Sequence, residues 1–97
     1  MNFEIAPKRT EIQANWYDAR LYCFFLNIDG KTGWRLPTKE ELNQIYQSKN
    51  DFFNTYYWSS TDDNDDDAWG QSMITGEQII DNKNYNGDRV RAIRDLS

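Results

Sequence analysis

The sequence predicts an α+β domain, and three observations carry that prediction. Two stretches with helical spacing and capping residues lie in the first half of the chain. The second half is a succession of short strand-like runs broken by Asn, Asp and Gly. Four Trp, six Tyr and five Phe supply a core that the low aliphatic content does not. Each such ring buries about 150–250 Å². Helices followed by a small antiparallel sheet make a layered α+β arrangement.

Residues 2–6 read as a short strand with Phe3 and Ile5 on one face. Residues 7–14 are polar and read as loop. Asn15 is suited to cap a first helix, with Asp18 at the third helical position. That helix is expected to run to about Asn27, with Trp16, Ala19, Cys23 and Leu26 on one side. Residues 27–33 (NIDGKTG) are turn material. Leu36 is restricted to extended geometry because the Pro37 ring crowds it. Thr38 and Glu41 form a capping box: the hydroxyl accepts from the third helical amide, and the carboxylate reaches back to the Thr amide. A second helix over residues 39–48 then turns Leu42, Ile45 and Tyr46 inward.

Strands are expected at residues 56–60 and 67–74, with a turn at Thr75 and Gly76. Residues 77–81 pair back as a hairpin, residues 82–87 turn again, and residues 88–95 form the final strand. No repeat and no linker interrupts the chain, so residues 1–97 read as one domain. A chain of this size buries roughly 60–70% of its unfolded surface, so its core is modest. A mean hydropathy of −0.94 leans towards disorder, but the aromatic content opposes it.

Composition narrows the chemistry. The chain has no histidine and one cysteine, Cys23. The commonest general base is therefore missing, and a structural zinc site lacks its ligands. Cys23 has no disulfide partner within the chain and falls on the inward side of the first helix. A net charge of −5 disfavours nucleic acid, which needs clustered Lys and Arg. Arg89, Arg91 and Arg94 do cluster, with Arg89 and Arg91 on one strand face, and are expected to pair with acidic residues. No apolar run of about 18 residues occurs, so no membrane span is predicted. Residues 1–25 lack a basic start followed by an apolar stretch, so no signal peptide is read there. Cytoplasmic or virion-associated placement is expected ahead of Sec secretion. The chain opens on Met1 and carries no stalk, which leaves a free-standing small protein or a trimmed domain.

The string Trp34-Arg35-Leu36-Pro37-Thr38, followed by Glu41-Leu42, resembles the signature of the Lcl C-terminal domain family. Trp16, Ala19 and Cys23 precede it; Tyr57-Trp58-Ser59-Ser60-Thr61, Ala68-Trp69 and Val90-Arg91-Ala92-Ile93-Arg94 follow in order. The likeness covers residues 14–94. A bare WRLPT also occurs in formylglycine-generating enzymes, which look like distant relatives. The resemblance implies a C-type-lectin-like α+β fold and a binding role in bacterial adhesins and phage tail proteins. It implies no activity: those enzymes use a cysteine pair, and this chain has only Cys23, in another motif. Arg35 and Arg91 match family motif positions and are expected to be structural.

Two features go beyond the resemblance. Leu21, Phe24 and Phe25 lie roughly opposite the inward side of the first helix. Either loops or the N-terminal strand cover them, or they form a protein or homo-oligomer interface. The run Asp62-Asp63-Asn64-Asp65-Asp66-Asp67 puts five carboxylates in six residues. It reads as a solvated loop, as a Ca²⁺ site through Asp62, Asp63, Asn64, Asp65 and Asp66, or as a contact for a basic partner. Calcium takes six to eight oxygens at about 2.3–2.6 Å, which such a loop supplies. Asp65, Asp66, Asp67, Trp69 and Tyr85 are the candidate ligand-binding residues, the aromatics by stacking on a sugar or peptide.

Three functions fit. The first is a non-catalytic module that binds a carbohydrate or protein at a phage or bacterial surface. The second is an oligomeric structural protein. The third is a small acidic inhibitor of a basic intracellular protein, whose binding would weaken steeply with salt. Glycosidase chemistry needs two acids fixed across a cleft, which a flexible Asp run does not provide.

Overall fold

The computed structural model describes residues 2–48 and 51–96. Two helices pack with two sheets in an α+β fold. A three-stranded sheet is ordered β1 (Phe3–Ile5), β8 (Ile93–Asp95), β3 (Trp34–Arg35). A five-stranded sheet is ordered β2 (Ile12–Gln13), β7 (Arg89–Val90), β4 (Tyr56–Asp62), β5 (Asp67–Ser72), β6 (Gln78–Asn82). The pairs are antiparallel except β4 with β7, which meet in parallel at Tyr57 and Arg89.

Helix α1 spans Trp16–Phe25 and is capped as its sequence requires, with the Asn15 carboxamide oxygen accepting from the Asp18 amide. It stops before Asn27. Leu26 turns extended, and the Asn27 side chain is spent on the following turn, where it accepts from the Gly30 amide. Helix α2 spans Lys39–Ser48 and starts on the full capping box: Thr38 N–H donates to Glu41 and Glu41 N–H donates to the Thr38 hydroxyl. Thr61 adds a third restraint by accepting from the Lys39 amide.

Three local expectations are corrected. Residues 7–14 are not plain loop: they hold a 3-10 turn, Lys8–Thr10, and β2, which pairs with β7. The final strand is two strands. β7 joins the five-stranded sheet and β8 the other, with Arg91 and Ala92 crossing between them. β5 ends at Ser72 instead of continuing to Ile74, because the Ser72 hydroxyl takes the Ile74 and Thr75 amides and starts the turn early. Gly76 closes that turn at φ +80°, where a side chain would also strike the Tyr46 ring.

The main core gathers Trp16, Ala19 and Cys23 from α1 with Trp34, Leu36, Trp58, Ala68 and Val90. Burial pushes the Cys23 thiol up to about 12, which leaves it inert at neutral pH. A second cluster joins Phe3, Ile45 and Ile93, with Ile5 packed against it. Leu42, Tyr57 and Met73 form a third.

Candidate functional site

The outer side of α1 is apolar and uncovered. Tyr17, Leu21, Phe24 and Phe25 are 46%, 55%, 73% and 76% exposed. Their spacing repeats at four, three and one residues, so they form one stripe along the helix. The Phe24 and Phe25 rings meet edge to face, 5.2 Å between centroids. Among the described residues neither a loop nor the N-terminal strand covers them, which removes that explanation of their pattern.

The stripe borders a groove of about 510 Å³. One wall is Tyr17, Arg20, Leu21 and Phe24; the other is Trp34, Arg35 and Leu36, with Ser60 beside them. The helix is fixed against the sheet by the Trp16 indole, whose N–H donates to the Ser59 carbonyl at 2.9 Å. The opposite wall is fixed by Arg35. Its guanidinium bonds both Glu41 carboxylate oxygens at 2.7 and 2.9 Å, and also reaches Asp95 and the Leu36 carbonyl. Those bonds raise the Arg35 pKa and hold the Glu41 and Asp95 carboxyls below their usual range. Arg20 differs: its guanidinium lies 4.7 Å from the Trp16 ring centroid, and among the described residues no carboxylate pairs with it.

The acidic run forms the tight connection between β4 and β5. Asn64 organises it: its carboxamide oxygen accepts from the Asp66 and Asp67 amides, and its NH₂ donates to Asp63 and Asp67. Lys83 supplies the cation. Its ammonium donates to the Asn64 and Asp65 carbonyls at 2.8 and 3.2 Å and lies 3.5 Å from an Asp62 carboxylate oxygen. Asp62, Asp63, Asp65 and Asp66 stay exposed. Among the described residues no three His, Cys, Asp or Glu side chains converge as metal ligands.

The two candidate aromatics sit on different elements. Trp69 lies in a shallow cavity with Lys39, Glu40, Asn43, Thr61 and Gln78, and the Lys39 ammonium sits 3.5 Å from its ring centroid. Tyr85 is in the turn after β6, half exposed, folded over Gly87.

Two buried polar groups escaped the sequence reading. Glu11, just before β2, accepts from Arg89, Arg91 and the Tyr57 hydroxyl. Burial first, and then the Glu11 bond, push the Tyr57 phenol above its usual range. Asp88 is 2% exposed with its Oδ2 unpartnered, and burial together with the neighbouring Asp81 carboxyl pushes its pKa up to about 8. Trp34 stood out in the sequence as a large apolar anchor and Leu36 as an extended residue before Pro37, with no sign that they would wall a groove. Tyr17 stands four residues before Leu21, a spacing that marks it as part of the outer stripe.

The motifs therefore have structural duties. Trp58 N–H donates to the Ala14 carbonyl, Ser59 donates to the Trp69 carbonyl, and Arg91 donates to the Ala6 carbonyl. A model of the Lcl C-terminal domain family matches residues 4–94. The chain belongs to that family. No curated protein matches it. In this Lcl C-terminal domain Trp34, Arg35 and Leu36 build one wall of the groove, and α1 builds the other.

Proposed function

We propose that this Lcl C-terminal domain is a non-catalytic binding module with a C-type-lectin-like fold, and that it takes a protein ligand on the outer face of α1. The uncovered stripe of Tyr17, Leu21, Phe24 and Phe25 beside a groove carries this reading. Exposed aromatics clustered next to a concavity are typical of protein-binding surfaces. The surface setting, phage or bacterial, rests on the family. The net charge of −5 favours protein over nucleic acid as the partner.

The test compares the native chain with Leu21→Glu and Phe24→Glu on a glycan array and against immobilised bacterial surface proteins. Saturable protein binding that both substitutions abolish supports the reading. Glycan binding untouched by them overturns it.

A carbohydrate reading has one observation in its favour. The Trp69 indole is ringed by hydrogen-bonding groups of Asn43, Glu40, Thr61 and Gln78. A sugar there must displace Lys39 from the ring face. Binding lost in Trp69→Ala but kept in the α1 variants would select it. A homo-oligomer through Leu21, Phe24 and Phe25 is the structural alternative. A mass above the monomer in light scattering at tens of micromolar, restored to monomer by Phe24→Glu, would select that instead. The inhibitor reading rests on the exposed carboxylates of the β4–β5 connection.

A further inference from the structure

Resting on that reading, we propose that the α1 groove takes an apolar peptide segment that carries a carboxylate, with Arg20 as the recognising cation. The partner is a protein segment of acidic, amphipathic composition.

Charge distribution argues for it. The chain holds 16 acidic and 11 basic residues, yet among the described residues no acidic side chain lines the groove. Its two cations are not equivalent. Arg35 is committed to Glu41 and Asp95, which leaves its donors occupied. Arg20 is exposed, its guanidinium carbon lies 4.7 Å from the Trp16 ring centroid, and among the described residues no carboxylate pairs with it. A guanidinium without a carboxylate partner keeps its donors available for a carboxylate fork. The two groove walls meanwhile offer Leu21, Phe24 and Trp34 to an apolar anchor.

Charge argues against a second copy as occupant. In a two-fold dimer the same patch meets itself, so Arg20 would face a groove whose described lining holds Arg20 and Arg35 and no acid. A groove of about 510 Å³ instead suits one or two anchoring side chains.

Three amidated peptides with a shared Leu-Phe-Leu core, flanked by Glu, Gln or Lys, test the proposal against the full chain. Binding is followed by titration with amide shift mapping, alongside light scattering of the free protein. The expected order is Glu, then Gln, then Lys, with about fivefold between the extremes. Shifts should centre on Tyr17, Leu21, Phe24 and the Trp34 indole. Arg20→Gln should abolish the order while keeping apolar binding, and Leu21→Glu should abolish binding. Equal affinity for all three peptides in the native chain overturns the carboxylate proposal and leaves the α1 docking reading standing. No binding by any peptide, with a monomeric protein, overturns both. Self-association lost in Phe24→Glu assigns the groove to a second copy and also overturns the proposal.

Discussion

Arg91 and Glu11 meet 2.8 Å apart with their side chains 3% and 1% exposed. Arg91 crosses between the two sheets, and Glu11 comes from the stretch before β2. The pair therefore ties the N-terminal region to the point where the chain changes sheets. Arg89 and the Tyr57 hydroxyl complete the shell around the carboxylate, and Ala6 and Asp51 complete the guanidinium. Removing Glu11 leaves the buried Arg91 with only the half-exposed Asp51 carboxylate and strips Arg89 of its partner, a loss of up to about 3–5 kcal/mol. Glu11→Ala should lower the urea midpoint by a corresponding amount. Glu11→Gln keeps an acceptor for Tyr57 and should lose less. An unchanged midpoint in Glu11→Ala would show that the pair does not hold the sheets together.

Asp88 and Asp81 form the opposite kind of pair. Burial and the Asp81 carboxyl push the Asp88 pKa from 3.8 to about 8, so the folded chain holds this proton more tightly than the unfolded one. More protons in the folded state means that stability falls as pH rises. The loss should run between about pH 4 and pH 8 and level off above. Asp88→Asn keeps a donor towards Asp81 and removes the charge. Its stability relative to the native chain should climb across that window. Denaturant unfolding at several pH values from 5 to 9 reads this directly, and a constant difference would refute it. Glu4, Glu41 and Asp95, whose carboxyls lie below their usual range beside Arg94 and Arg35, act in the other direction, and their contribution is lost only as pH falls into the acid range.

Lys83 is the internal counter-ion of the acidic connection. It holds two backbone carbonyls and stacks 4.4 Å from the Trp16 ring centroid, so it couples the β4–β5 turn to the core. Lys83→Met keeps the stem and removes the charge. Two carbonyls then lose their donor, at about 1–3 kcal/mol, and the carboxylates repel unscreened. The melting temperature should fall by several degrees. In the native chain the ammonium already occupies those carbonyls, so millimolar calcium should shift the melting temperature no more than magnesium does. A calcium-specific rise would place a metal in the Asp62–Asp67 run and displace Lys83 from its role.

The elements that local chemistry dictates were legible in the sequence. Asn15 and Asp18, or Thr38 and Glu41, specify a helix start within four residues, and both starts form as their spacing requires. Elements that exist only through distant pairing were not. Ile12–Gln13 becomes a strand because Arg89–Val90 lies beside it, and nothing within residues 7–14 announces that partner. The break between β7 and β8 has the same origin: each half follows a different sheet. The acidic run stands out in the sequence, whereas its cation, Lys83, lies 16 or more residues further along the chain. The outer stripe of α1 was legible as a pattern. What distinguishes a covered stripe from an open one is tertiary, and only the packing of α1 decided it.

The open stripe makes a prediction that separates binding from folding. Leu21, Phe24 and Phe25 are more than half exposed, so charge placed there leaves no cavity and buries no unpaired group. Surface changes of that kind shift stability by within about 0.5 kcal/mol. Leu21→Glu combined with Phe24→Glu and Phe25→Lys should therefore unfold at nearly the native midpoint while losing whatever the face binds. The added charges break a contiguous apolar patch, so the variant should also stay soluble at higher concentration than the native chain. Circular dichroism melts and a solubility limit measured side by side give both readouts. A loss of several kcal/mol would mean that these side chains stabilise the folded chain in solution, through contacts that their exposure excludes or through association with another copy. Rerunning the native melt at tenfold lower concentration tells those apart, since stability that depends on association falls on dilution.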